Sequence, residues 1–221
     1  MPTEEPEGYF ASPENGEGPG VLVLHAWWGL NDTIKSICDQ LATEGFVALA
    51  PDLYHGKVAD TIPGAESLCN ALNNDPAQAK ADISSSVSFL KEHSSGDGLA
   101  VIGFSLGAMY ALELATEAPD DISSVVLFYG SGEGDFTKAK ASFLGHFAEN
   151  DPYESKKYVD GLEQSIRDAG RPVTFYQYPG VGHWFFEPDR TDAYEPQAAG
   201  LAWERTLDFL KTVELTTTEV K

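Results

Sequence analysis

Cysteine is scarce in these 221 residues, with Cys38 and Cys69 the only two. Two thiols spaced so casually build neither a disulfide framework nor a zinc site, and Cys38 falls inside a predicted helix, so both are expected free, as in a reducing interior. Cations are scarce as well: 14 Lys and Arg stand against 35 Asp and Glu, a formal charge of -21. That balance argues against a nucleic-acid partner, which needs clustered cations to displace phosphate counterions, and it disfavours long-range steering of anionic substrates. The acidic surplus reads as a solvated surface that maintains solubility. No apolar run approaches the length of a membrane span, and MPTEEPEGYF lacks the basic start and apolar centre of a signal peptide. A cytoplasmic chain with no membrane partner is expected. Internal repeats and low-complexity tracts are also absent.

What is present suits a globular chain. A hydrophobic fraction of 42% with 11% aromatics supplies a core, and the length fits one α/β domain over residues 1–221 with poorly ordered ends near 1–7 and 214–221. GYFA, a turn-rich middle with Asn15-Gly16, and the β-rich run Val21 to Leu24 read as a leading strand turning back into a buried one. Asn31-Asp32 then caps a helix with Ile34, Ile37, Cys38 and Leu41 at helical spacing and a stop at Gly45. Phe46 to Ala50 is a strand ending at Pro51, and Tyr54 to Pro76 reads as a long irregular stretch before a helix near Ala77 to His93. From Leu99 strands and helices alternate: strand to Ile102, helix from about Ser105 to Ala118, strands Val125 to Tyr129 and Ala141 to Ala148, helix Glu154 to Ala169, strand Val173 to Tyr178, and helix near Glu195 to Val213. Alternation of this kind predicts a mostly parallel sheet covered by helices on both faces, and the tail TTTEVK is expected to fray.

Gly103-Phe104-Ser105-Leu106-Gly107 stands between a buried strand and a helix. A residue forced into a strained strand-to-helix turn needs neighbours without side chains, and Gly103 and Gly107 meet that need. The five residues alone fit either a nucleophile elbow or an ordinary helix cap. An elbow would lift the Ser105 hydroxyl above the sheet's C-terminal edge and aim the Leu106 N–H at a developing oxyanion. It also requires a later base and a carboxylate to orient it. His183 follows the strand that ends at Tyr178, and Asp151 follows the strand that ends at Ala148, in the chain order Ser, Asp, His. Glu149 is the rival acid, but Asp151 precedes Pro152 at the loop's turn and is preferred. His55, His93 and His146 read as surface or core residues. The second oxyanion donor is expected from the loop after the first buried strand, with the Trp27 N–H as candidate. Trp28, Tyr54, Tyr129 and Trp184 are candidate walls of a substrate pocket, and His25 reads as a packed polar residue beneath the loop.

VLVLHAWWGLND, FVALAPDLYHG, VIGFSLGAMYAL, VVLFYG, AENDPY, YPGVGHWFF and AWERTLDFL, in this order, resemble the dienelactone hydrolases of the α/β-hydrolase superfamily across nearly the whole chain. The resemblance implies an α/β-hydrolase fold with an eight-stranded, mostly parallel sheet and no large cap domain. It also implies no cofactor or metal, and a triad of Ser105, His183 and Asp151. The departures are as informative. The family's usual nucleophile is cysteine, where this chain has Ser105, and its oxyanion-loop glutamate, which helps activate that cysteine, is replaced by Ala26. The two changes are consistent, because His183 can take a serine proton directly. The family's arginine after the catalytic histidine, which holds a substrate carboxylate, is replaced by Glu187. Arg190 lies slightly further on as the remaining candidate for a carboxylate, and Tyr54 to Pro76 contains no arginine.

The reading that follows is a serine hydrolase that cleaves a small carboxylic ester or lactone through an acyl-enzyme. Acyl transfer to peroxide or an alcohol on the same triad, as in a perhydrolase, is the alternative within enzymes. A ligand-binding homologue with negligible turnover is the alternative outside them. The expected partner is a small molecule, and the chain is expected as a monomer or homodimer.

Overall fold

The runs Val21 to Leu24 and Val47 to Pro51 are buried throughout rather than alternately, the pattern of strands covered on both faces. In the structure, a computed structural model, residues 4–218 are described; they form seven strands and six helices, with a seven-stranded, mostly parallel sheet. The chain divides into two compact units, residues 1–99 and 100–221.

The first unit contains β1 (Gly8–Ala11), β2 (Pro19–Leu24), α1 (Asp32–Thr43), β3 (Val47–Pro51), α2 (Ile62–Asn74) and α3 (Pro76–His93). β2 and β3 are parallel, pairing Gly20 with Val47 and Leu22 with Leu49. Parallel neighbours need a crossover, and α1 supplies it: the Asn31 side chain accepts from the Ile34 N–H, and Ile34, Ile37, Cys38 and Leu41 form the buried stripe. Both cysteines are free, and burial pushes the Cys38 thiol up to about 12.

Two expectations for this unit need correction. β1 does not turn back onto β2; it pairs antiparallel with β3, Gly8 opposite Pro51 and Ala11 opposite Ala48. The segment between β1 and β2 is too long for a two-residue hairpin, which frees β1 to take the other partner. Tyr54 to Pro76 is not wholly irregular, since it contains α2, opened by the Thr61 side chain accepting from the Gly64 N–H with a proline in the first turn. Only Ala65 and Leu72 of α2 are buried, so it carries no apolar stripe for a periodicity argument to find.

β4 (Ser95–Phe104) leads into the second unit, which continues with α4 (Leu106–Glu117), β5 (Ile122–Phe128), β6 (Ser142–Asn150), α5 (Lys156–Asp168), β7 (Val173–Gly182) and α6 (Pro196–Thr218). β5 and β6 run parallel, Val125 beside Phe143 and Phe128 beside His146, and β6 runs parallel to β7. His146 is fully buried in β6; its Nδ1 lies 2.8 Å from the Tyr178 hydroxyl and its Nε2 3.0 Å from Thr206 Oγ1. Burial pushes its pKa down to about 3, with the Arg205 charge adding to the shift, so it is a neutral core residue.

Seven strands is the number read from the residues; the eighth implied by resemblance is absent among the described residues. α6 runs through Thr218 rather than ending near Val213. Expected disorder at residues 1–3 and 219–221 lies outside the described residues.

Candidate active site

Ser105 sits where β4 gives way to α4, with φ +48° and ψ −107°, a conformation that costs a non-glycine residue ~1–3 kcal/mol. Its surroundings hold it there. The Ser105 N–H donates to the Phe128 carbonyl at 2.9 Å, and the Ala108 N–H donates to the Ser105 carbonyl at 2.9 Å. A Cβ on Gly103 would stand 2.5 Å from the Gly107 carbonyl oxygen, and a Cβ on Gly130 would stand 2.5 Å from the Ser105 carbonyl oxygen. The sharp turn therefore needs Gly130 from the end of β5 as well as Gly103 before it. Gly130 was not read from the sequence, because its crowding arises across the sheet and not along the chain.

The Ser105 hydroxyl does not cap the helix it precedes; its Oγ lies 3.0 Å from His183 Nε2. Leu106 is the first residue of α4, so its N–H is one of the four that have no partner within the helix.

Asp151 is aimed by the end of β6. The β6–β7 register runs regularly to Ala148 beside Tyr178, then shifts so that Asn150 stands beside Gly182. Such a bulge re-aims side chains at a strand end. Asp151 Oδ2 lies 2.7 Å from His183 Nδ1, while Oδ1 accepts the Tyr153 and Glu154 N–H groups at 2.9 and 3.0 Å. Glu149 is turned elsewhere, its Oε2 accepting the Gly180 N–H at 2.8 Å. The two side chains at the heart of the contact are nearly sealed from solvent, His183 exposed by 4% and Asp151 by 2%. With Nδ1 donating to a carboxylate, Nε2 carries the lone pair that faces Ser105.

Aromatic rings surround His183: Tyr129, Tyr153 and Trp184 have centroids 5.0, 4.9 and 4.9 Å from the imidazole. Tyr153, which sequence reasoning did not single out, is 48% exposed and also stands 5.3 Å from Trp184. Tyr129 is not an open pocket wall. It is fully buried, and its hydroxyl donates to Glu187 Oε1 at 2.7 Å. Arg190 is held by its neighbour, with Nε and Nη2 at 3.1 and 2.6 Å from Asp189 Oδ2. Glu154, also not anticipated, accepts the Ser131 N–H at 3.2 Å and its hydroxyl at 2.5 Å, tying the acid's loop to the segment after β5.

The remaining candidates belong to the first unit. Trp27 and Trp28 follow β2 with ring centroids 5.4 Å apart, and Trp28 and Tyr54 are buried. His25 Nδ1 donates to the Ala26 carbonyl at 2.7 Å, and its Nε2 accepts the Leu53 N–H at 3.3 Å. Burial holds its pKa below the usual range, so this neutral ring stitches the loop after β2 to the loop after β3. Among the described residues no cluster of three His, Cys, Asp or Glu could hold a metal ion, and no helix is long and apolar enough to cross a membrane.

A mostly parallel sheet with a serine on a strained strand-to-helix turn, a histidine and an aspartate on later strand ends, and solved neighbours of the same architecture define the class: an α/β hydrolase. The sequence pattern of the Dienelactone hydrolase family matches residues 7–214, and the chain belongs to that family. Protein usf of Aquifex pyrophilus is 38% identical over 213 residues, covering 92% of each chain. A provisionally named carboxymethylenebutenolidase of Aquifex aeolicus is 34% identical, covering 93% of this chain and 92% of its own. The crystal structure of a provisionally named dienelactone hydrolase from Klebsiella pneumoniae superposes with a TM-score of 0.79 at 26% identity, covering 91% of this chain and 90% of that one. The protein is thus a hydrolase of the dienelactone hydrolase type.

Proposed function

We propose that the protein is a serine hydrolase that cleaves small carboxylic esters or lactones through an acyl-enzyme, with Ser105, His183 and Asp151 as its triad. The observation that carries this reading is the unbroken hydrogen-bonded series from Ser105 Oγ to His183 Nε2 at 3.0 Å and from His183 Nδ1 to Asp151 Oδ2 at 2.7 Å. His183 takes the serine proton as Oγ attacks the carbonyl carbon. The Leu106 N–H, at the positive end of α4, stabilises the oxyanion. His183 then protonates the leaving alkoxide, and in the second half it activates water to release the acid and restore Ser105. Asp151 holds the imidazole in the tautomer that leaves Nε2 free and stabilises the imidazolium.

Serine in place of cysteine suits this direct route, since Ala26 supplies no carboxylate to manage a thiol. The name of the Aquifex aeolicus relative supports the ester or lactone class. A substrate carboxylate finds little support here: Glu187 is buried on Tyr129, and the Arg190 guanidinium is engaged by Asp189. A neutral ester or lactone fits better, with Tyr153 and Trp184 beside His183 flanking its apolar part. The same reading makes the protein a cytoplasmic enzyme acting on a small molecule.

The test is a panel of short-chain aryl esters together with a serine-directed phosphonate, on wild type and Ser105→Ala. Wild type should turn over esters and take one label per chain, and Ser105→Ala should lose about 10⁴-fold or more in kcat and all labelling. A wild type that does neither refutes the hydrolase reading, and full labelling of Ser105→Ala moves the nucleophile elsewhere.

A further inference from the structure

Glu187 is a carboxylic acid with no exposure to solvent, four residues beyond His183. Its N–H donates to the Trp184 carbonyl at 3.0 Å, so it closes the turn that His183 enters. Its Oε1 takes the Tyr129 hydroxyl at 2.7 Å, and its Oε2 has no hydrogen-bond partner. The resemblance to the dienelactone hydrolases implies a substrate-binding arginine at this place; here the side chain is a glutamate turned inward onto a tyrosine.

Tyr129 touches both halves of the proposed chemistry. Its ring centroid is 5.0 Å from that of His183, and it precedes Gly130, whose backbone abuts Ser105. Its φ of +36° is a second strained backbone angle, and Trp184, with φ +64°, is a third. Strain at neighbouring positions persists only where the surroundings over-determine it. The Tyr129–Glu187 hydrogen bond is a polar side-chain tie between these two segments: it joins the end of β5 to the loop after β7.

We propose that Glu187 is a positioning residue for His183: through its hydrogen bond to the Tyr129 hydroxyl it locks the ring against which the imidazole rests. The inference builds on the hydrolase reading above. Burial raises the Glu187 pKa to about 8, so at neutral pH the group is an uncharged acid that can accept from Tyr129 without an unpaired buried charge. The charged and titratable groups acting on the pair are Asp189 and Arg190 in the turn of Glu187 itself, and Asp151 on the Tyr129 side. Burial and the neighbouring acids hold the Tyr129 phenol well above its ordinary value, so it remains a donor. A neutral glutamine should replace the acid, because its carbonyl oxygen accepts the same hydrogen bond.

The experiment compares wild type, Tyr129→Phe, Glu187→Leu and Glu187→Gln at pH 7. It reads kcat and KM for an aryl ester, and the low-field NMR resonance of the His183 Nδ1 proton that bonds Asp151. Tyr129→Phe and Glu187→Leu should each lose about tenfold in kcat with KM within about twofold, and should broaden or shift the resonance. Glu187→Gln should restore both, and the double variant Tyr129→Phe with Glu187→Leu should be no worse than either alone. If Glu187→Leu does not fold, Tyr129→Phe decides, since it removes one oxygen and keeps the ring. Unchanged kcat and an unchanged resonance in Tyr129→Phe overturn the proposal. A wild type without turnover sinks the hydrolase reading instead, and the NMR comparison still decides whether this pair holds the imidazole.

Discussion

Replacing Glu187 by Gln should make stability depend on pH in a way that can be worked out beforehand. An unfolded glutamate titrates near 4.5, and burial raises the folded value to about 8. Between those values the folded state holds a proton that the unfolded state has released. Stability from this group is therefore complete below pH 4.5, falls as pH rises, and levels off above pH 8. The window spans three and a half pH units at ~1.4 kcal/mol each, so the whole effect is about 5 kcal/mol. His146 works in the opposite sense: its folded pKa of about 3 lies below the unfolded 6.5, so its contribution is present above pH 6.5 and lost as pH falls toward 3. From pH 4.5 to 6.5 the two slopes oppose each other. Urea unfolding of wild type and Glu187→Gln at half-unit steps from pH 4.5 to 8.5 isolates the first, since every other group is common to both. The difference should grow in favour of Gln by about 1.4 kcal/mol per pH unit and then flatten. A difference that stays constant across this range would refute the buried, neutral acid.

Asp151→Asn should lower kcat by about 10⁴-fold by removing the carboxylate that fixes the His183 tautomer, whereas Glu149→Gln should stay within about twofold, as steady-state ester kinetics would reveal. Gly130→Ala drives a Cβ to within 2.5 Å of the Ser105 carbonyl oxygen. It should cost roughly 1–3 kcal/mol in urea unfolding and slow phosphonylation of Ser105 as the elbow shifts. His146→Leu should remove the acid-side stability loss between pH 6.5 and 3, leaving a smaller decline on acidification than wild type, while leaving the Tyr178 hydroxyl and Thr206 without their shared partner. Thermal melts at pH 4 and 7 read both effects.

Much of the fold was legible along the chain because it is encoded locally. The Asn31 cap, the stripe Ile34, Ile37, Cys38 and Leu41, and the apolar runs of β2 and β3 announce a strand, helix, strand unit before any contact is known. α2 was illegible because a helix that buries two residues leaves almost no periodic signal. β1 read correctly as a strand, but its partner did not, since pairing is a choice among strands distant in sequence.

The same division runs through the site. Sequence by itself determined the residue types and their order: a serine between glycines after a buried strand, then an aspartate and a histidine at later strand ends. Tertiary structure alone decided which acid meets the imidazole, because where the β6–β7 register shifts, Asp151 meets Nδ1 and Glu149 takes the Gly180 N–H. It likewise decided that Gly130 packs against the Ser105 turn and that Tyr129 and Glu187 close on each other inside the core. These depend on distances of a few ångströms between segments far apart in the chain, which no local spacing encodes.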